Sequence, residues 1–338
     1  MRVSPLATAV LAVAFASPLA ATAAPEVVTS IKPLQLIAAA ITEGVSQPQV
    51  LIDGGMSPHD YALKPSDRRT LDQAGLVLWV GEELEPFMHK PLSAKAAQQV
   101  LTLREVLQLA AGEHAEHDEH QEAHHDEHQE AHHDEHAKHE EAHQDHEHDK
   151  HEEHGDHAKH DEDEHHHSYD PHVWMSPAYG KQIAVALSER LGQLDEANRA
   201  QYQANLERFV SQLEQTDQQI RNQLTSVQQQ GYYVFHDAYG YFEQHYGLKH
   251  LGAFTLNPEQ KPGAKKLGKI RASLEQQQAK CVFAEPQFKP AVVDAVVQGT
   301  QVRQGVLDPL AMEIAVNAQG YSQYLQQLAG AFHRCLAE

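Results

Sequence analysis

The stretch DEANRAQYQANLERFVSQLEQTDQQIRNQLTSV, residues 195–227, decides the architecture. Leu206, Phe209, Leu213, Ile220, Leu224 and Val227 recur in it at three- and four-residue steps, the spacing that lines one face of an α-helix. No proline or glycine interrupts the pattern, and Gly231 follows where a helix stop is expected. At 1.5 Å per residue such a helix runs about 50 Å, which outreaches one small domain. The pattern therefore predicts a helix bridging two domains; a helix with a coiled-coil partner is the alternative.

On both sides of it, short apolar runs alternate with helical patterns. Strands are expected at 27–31, 50–52, 76–80 and 99–103, and again at 233–235, 248–254, 281–284 and 302–307. Helices are expected from Pro33 to about 42, behind the candidate N-cap Ser66, and from Pro177 to about 191. Further helices are expected at 262–278, 290–297 and 319–335. Leu76-Val77-Leu78-Trp79-Val80 is apolar throughout and ends at Gly81, the signature of a buried parallel strand. The expected fold class is α/β, with two α/β lobes of parallel sheet joined by one long rigid helix.

Residues 113–167 interrupt this order. They hold 20 of the 27 histidines and 22 of the 48 acidic residues, against Lys138, Lys150 and Lys159. Three lysines against 22 acids supply −19 of the formal charge of −22, so the rest of the chain is near neutral and shows no basic patch for nucleic acid. The tract has almost no side chain for a core, which predicts a mobile loop. Imidazole and carboxylate are ligands for divalent metals, so the composition reads as metal-binding. An eight-residue repeat, HDEHQEAH at 117–124 and again at 125–132, has no apolar face to stack.

The N-terminus has the form of a secretory signal: Arg2, an apolar run over 6–19, and Ala21-Thr22-Ala23 as a small-residue cleavage site. A soluble, exported mature protein is expected. Cys281 and Cys335 are the only cysteines, and in an oxidising compartment they predict one disulfide closing a loop of about 55 residues, with a stabilisation of up to about 4 kcal/mol. Removing signal and tract leaves about 260 residues, enough for two domains. The division expected is 1–23 signal peptide, 24–194 first lobe interrupted by 113–168, 195–230 connecting helix, and 231–338 second lobe.

Seven histidines lie outside the tract. Three sit at or beside strand ends: His59 after the run 50–52, His172 before Val173-Trp174, and His236 at the end of 233–235. Ligands of open α/β sheets bind beyond the carboxyl ends of strands, so these three can converge on one cleft. No His-x-x-x-His or Cys-x-x-Cys pair strengthens the signal. His89, His245, His250 and His333 are read as ordinary polar groups.

Longer motifs surround the three. Gly54-Gly55-Met56-Ser57-Pro58-His59-Asp60-Tyr61-Ala62-Leu63-Lys64-Pro65-Ser66-Asp67, His172-Val173-Trp174-Met175-Ser176-Pro177 and Val234-Phe235-His236-Asp237-Ala238-Tyr239-Gly240-Tyr241-Phe242 resemble the three metal-ligand motifs of the periplasmic metal-binding proteins of ABC uptake systems, the third in its zinc form. Phe283-Ala284-Glu285-Pro286-Gln287-Phe288 and Leu307-Asp308-Pro309-Leu310 are similar as well, and the His-rich insertion falls where zinc members carry theirs. The resemblance runs from about residue 27 to the C-terminus. It implies two α/β lobes, a long connecting helix, one metal between the lobes and a periplasmic location.

It also implies His59, His172 and His236 as ligands of Zn²⁺. Three neutral imidazoles suit zinc better than manganese, which prefers oxygen, and manganese relatives have a carboxylate where this chain has His236. Asp308 matches the fourth ligand of the manganese branch; direct ligation, an outer role and a metal-bound water are all open there. Some zinc members carry an acid just before the first histidine, where this chain has Pro58. Asp60 and Asp237, each beside a ligand, are candidates to orient an imidazole. The expected function is a monomeric zinc receptor that delivers Zn²⁺ to a membrane permease, with the tract as an auxiliary collector. A manganese receptor, a zinc hydrolase and a metal-storage protein are the alternatives.

Overall fold

The computed structural model describes residues 23–109, 169–289 and 291–337. All but the last residue of the expected signal, the whole His-rich tract and Pro290 lie outside them. The first part runs β1 (Val27–Ile31), α1 (Lys32–Ile41), β2 (Gln49–Ile52), α2 (Pro65–Gln73), β3 (Leu76–Trp79), α3 (His89–Ser93), β4 (Val100–Thr102) and α4 (Leu103–Val106). Two long helices follow, α5 (Pro177–Leu194) and α6 (Arg199–Leu224). The second part runs β5 (Tyr232–His236), α7 (Gly240–Tyr246), β6 (His250–Thr255), α8 (Ala264–Glu275), β7 (Cys281–Ala284), α9 (Ala291–Val297), β8 (Arg303–Val306) and α10 (Gly320–Leu336).

The strands form two four-stranded sheets, ordered β2-β1-β3-β4 and β6-β5-β7-β8, with every pair parallel. Val-Val-Thr-Ser-Ile of β1 and Leu-Val-Leu-Trp of β3 are buried at every position, as central strands of a parallel sheet covered on both faces are. In the second sheet the two-residue alternation sorts side chains between two cores. Tyr232, Val234, Cys281 and Phe283 join one, and Phe235, Val282 and Ala284 join the other. Both sheets use the same strand order. In that order ligands bind beyond the carboxyl ends of the first and third strands, where the chain switches direction across the sheet.

Helix α6 joins the two parts. Its buried residues Tyr202, Asn205, Phe209, Leu213, Thr216, Ile220 and Leu224 form one stripe, and it packs on α1, α5, α7 and α10. Near its start, Asn205 Nδ2 donates to the carbonyls of Ile41 and Glu43 at 2.7 and 2.9 Å. Near its end, Asp217 Oδ1 meets His245 Nε2 of α7 at 2.7 Å. The helix is shorter than the sequence pattern implies: 26 residues, about 39 Å. Asp195 ends the preceding helix and accepts from Asn198 Nδ2 and Tyr202 OH, which sets a single 3-10 turn before α6 begins.

Helix α2 also differs. Its N-cap is Lys64 and not Ser66, because Pro65 takes the first helical position, where its missing N–H costs nothing. Asp67 then accepts from the Lys64 backbone N–H at 2.7 Å. The final helix α10 returns across the molecule to pack on α1 and α6, and its Cys335 is disulfide-bonded to Cys281 of β7. One apolar core consequently runs without a break from β1 and α1 through α6 to β5 and α10. No helix among the described residues is long and apolar enough to cross a membrane.

Candidate metal centre

Two loops and a strand end deliver the three histidines. His59 rides on the loop after β2, where Asp53 Oδ1 accepts from Gly55 N–H at 3.0 Å and Ser57 Oγ from His59 N–H at 3.3 Å. His172 precedes a 3-10 turn, Val173–Met175, that leads into α5 behind its N-cap Ser176, whose hydroxyl accepts from Tyr179 N–H. His236 is the last residue of β5, the first strand of its sheet, so it stands at the switch point. His172 and His236 are buried and His59 is half-buried.

The three imidazoles meet. Ring centroids are 4.8 Å apart for His172 and His236, 5.0 Å for His59 and His236, and 5.5 Å for His59 and His172. One nitrogen from each lies within 4.8 Å of the others, and this is the only such group of three among the described residues. A tetrahedral zinc with nitrogens at about 2.0–2.1 Å needs them about 3.4 Å apart, so small rotations of the rings close the shell.

Asp170 determines how His172 faces the group. Its Oδ1 is 2.7 Å from His172 Nδ1 and also accepts the His172 backbone N–H at 3.0 Å. A carboxylate there keeps the proton on Nδ1 and leaves the Nε2 lone pair for a metal. His172 Nε2 is buried and makes no hydrogen bond. Sequence adjacency does not find this acid. Asp60 is exposed, and Asp237, whose carboxyl is pushed up by burial against the opposing pull of His250, donates its backbone N–H to Thr255. The readable signal was Asp170-Pro171-His172 itself, since an Asp bonding the N–H two residues on is an Asx turn.

Glu285 follows β7, the third strand, and completes the switch point. Its Oε1 lies 3.7 Å from His236 Nδ1 and accepts from Tyr239 OH at 3.1 Å. Complete burial raises its carboxyl to about 8, against that hydrogen bond and the neighbouring His172. Asp308 does not join the histidine group. Its Oδ1 accepts from Leu310 N–H and Gln287 Nε2, and its Oδ2 from Met312 N–H at 2.6 Å. His89, His245 and His250 each meet a carboxylate elsewhere, Glu82, Asp217 and Glu243.

A cluster of three imidazoles, two of them buried and one with its ring nitrogen set by a carboxylate, has donors that suit a transition metal; hard oxygen-seeking cations have little to bind there. The sequence pattern of the family described as zinc-uptake complex component A, periplasmic (ZnuA), matches residues 27–335. The chain belongs to the ZnuA family. It is 45% identical over 312 residues to the high-affinity zinc uptake system protein ZnuA of Yersinia pestis, covering 92% of this chain and 91% of that one. With the protein of the same name from Haemophilus influenzae the identity is 41% over 332 residues, 98% of each chain.

The fold is similar to that of a crystal structure of ZnuA, with TM-score 0.69 at 23% identity over 93% of this chain and 99% of that one. It is also similar to the periplasmic zinc binding protein TroA of Treponema pallidum, with TM-score 0.70 at 20% identity over 93% and 99%. As a ZnuA-family chain, the protein is a periplasmic, zinc-type component of an ABC uptake system, and members of this family are solute-binding proteins and not enzymes.

Proposed function

We propose that the protein captures one Zn²⁺ tightly between its lobes through His59, His172 and His236 and delivers it to the membrane permease of its importer. The convergence of the three imidazoles, with His172 oriented by Asp170, carries this reading. Relatives named high-affinity zinc uptake proteins support the choice of cargo and of partner. Asp308, whose oxygens are both bonded to neighbouring groups, shapes the loop beside the site, and a water completes the zinc shell. The three-nitrogen set favours zinc over manganese.

We also assign the tract 113–167 an auxiliary role, collecting zinc weakly at several sites; its composition supports this. Calorimetric titration of the full chain and of a chain lacking 113–167, with zinc and with manganese, tests both parts. The shortened chain should keep one tight zinc site and lose the weak ones. Loss of the tight site on deletion, or manganese bound as tightly as zinc, would overturn the assignment. Binding should weaken at least tenfold from pH 7 to pH 5, because protons compete for imidazole below its reference pKa of about 6.5.

A further inference from the structure

Gln287 stands three residues beyond β7, and its side chain lines the same pocket as the three histidines. Its Nε2 donates to the Gly54 carbonyl at 2.8 Å and to Asp308 Oδ1 at 2.8 Å. Both partners are pure acceptors, so the nitrogen end of the amide is chemically fixed on that side. Gly54 belongs to the loop that carries His59, in the first lobe, whereas Gln287 and Asp308 belong to the second.

The same contact is braced by backbone. A Cβ on Gly54 would stand 2.6 Å from Met312 Cα and 2.7 Å from the Leu310 carbonyl oxygen. Asp308 holds those two residues by their N–H groups, and Lys32 Nζ, at the start of α1, donates to the Met312 carbonyl at 2.6 Å. Of the three histidines, His172 is held by Asp170 and His236 by its strand. The loop of His59 is tied to the second lobe through Gly54, whose carbonyl accepts from Gln287 Nε2. The other end of the amide is informative too, because Gln287 Oε1 is buried without a hydrogen bond. A buried acceptor left unsatisfied is unfavourable, and an apolar side chain of similar volume would avoid it. Packing alone does not explain a glutamine here.

We propose that Gln287 is a positioning residue for the metal site: its carboxamide fastens the His59 loop to the Asp308 segment and so sets how closely His59 approaches His172 and His236. This rests on the reading of those three as ligands. It gives Asp308 a role that acts through the loop and not through the metal.

The test compares the full chain with Gln287→Met, Gln287→Glu and His236→Ala. Zinc affinity is measured by competition with a chelator, coordination by the visible spectrum of the Co²⁺-loaded protein, and loop order by hydrogen exchange of residues 53–59 without metal. The methionine variant, close in volume, should bind zinc ten- to a hundredfold more weakly, the range for loss of a group that supports a metal ligand. Its cobalt spectrum should shift, and exchange in 53–59 should quicken while the metal-free melting midpoint stays within a few degrees. The glutamate variant keeps the shape but not the donor, and should be at least as impaired. Zinc affinity within twofold of wild type in Gln287→Met, or a loss of affinity with exchange in 53–59 unchanged, would overturn the proposal. Should His236→Ala bind zinc as tightly as wild type, the ligand assignment itself fails, whatever Gln287 does.

Discussion

Replacing Asp170 by alanine isolates the effect of orienting one imidazole. The carboxylate is 2.7 Å from His172 Nδ1 and 3.0 Å from the His172 backbone nitrogen, so one side chain fixes both the ring and the turn that carries it. Without it, His172 is free to place its proton on Nε2, the nitrogen that faces the other rings. Removing such a partner typically weakens metal binding ten- to a hundredfold, which is about 1.4–2.7 kcal/mol. Loss of the same hydrogen bonds costs the metal-free fold about 1 kcal/mol. The assay is chelator competition for zinc at neutral pH, with Asp60→Ala as the control. Asp60 adjoins His59 in sequence but is exposed, and its removal should change affinity less than twofold. Equal effects of the two substitutions, or an Asp170→Ala affinity within twofold of wild type, would refute the orientation argument.

Other parts of the molecule make separate demands. Glu85 is fully buried, burial raises its carboxyl to about 7, and the hydrogen bonds from Gly81 and Val80 N–H only partly oppose it. Its stabilising protonation is complete below the unfolded pKa near 4.5 and is lost as pH rises through about 7; Glu85→Gln should therefore gain stability relative to wild type by up to about 3 kcal/mol at pH 8 and little at pH 4, read by urea denaturation. Gly180→Ala would place a methyl 2.4–2.7 Å from the buried Tyr321 ring, so overpacking of about 1–3 kcal/mol should outweigh the roughly 0.5–1 kcal/mol helix gain, and the melting midpoint should fall. Replacing Cys281 and Cys335 by serine removes a link across a sequence separation of 54; the urea midpoint should drop by the equivalent of roughly 2–4 kcal/mol, while zinc affinity stays within a few-fold.

Much of the fold was legible because its central strands β1, β3 and β7 are buried at every position. Runs such as 27–31 and 281–284 begin and end on residues that are buried, and they match β1 and β7 residue for residue. Polar boundaries were harder. Nothing in the pattern at 195–198 announces that Asp195 turns its carboxylate onto Asn198 and Tyr202 and delays α6. Residues 248–249 read as strand from their neighbours, yet Leu248 accepts from His250 N–H in a turn and β6 starts at His250. The short helix α7 was not among the expected elements; it is seven residues long and opens on Gly240, a poor helix former.

At the site, the three histidines were recognisable from their motifs, while the groups that hold them were not. Asp170 and Gln287 act through a local turn and through a contact 233 residues distant, and only the first leaves a trace in neighbouring sequence. Asp308 illustrates the reverse: a motif marks it, but three donors occupy its carboxylate, and the motif alone does not reveal them.

The shared core constrains how such a receptor can take up its cargo. Leu36 of α1 lies 2.8 Å from where a Cβ on Gly320 of α10 would stand, and Tyr321 OH donates to the carbonyls of Trp174 and Ser176, so the lobes meet in packed and bonded contact behind the site. Swinging them apart enough to expose even about 200 Å² of apolar surface would cost about 5 kcal/mol. Bringing the imidazole nitrogens from within 4.8 Å of one another to zinc-binding distance needs movements of about 1 Å, which ring rotation and the loop of His59 can supply. Capture by adjustment of loops on a rigid frame is therefore the less costly route. It follows that substitutions in the His59 loop should alter zinc affinity and its kinetics far more than equally conservative substitutions on the exposed face of α6.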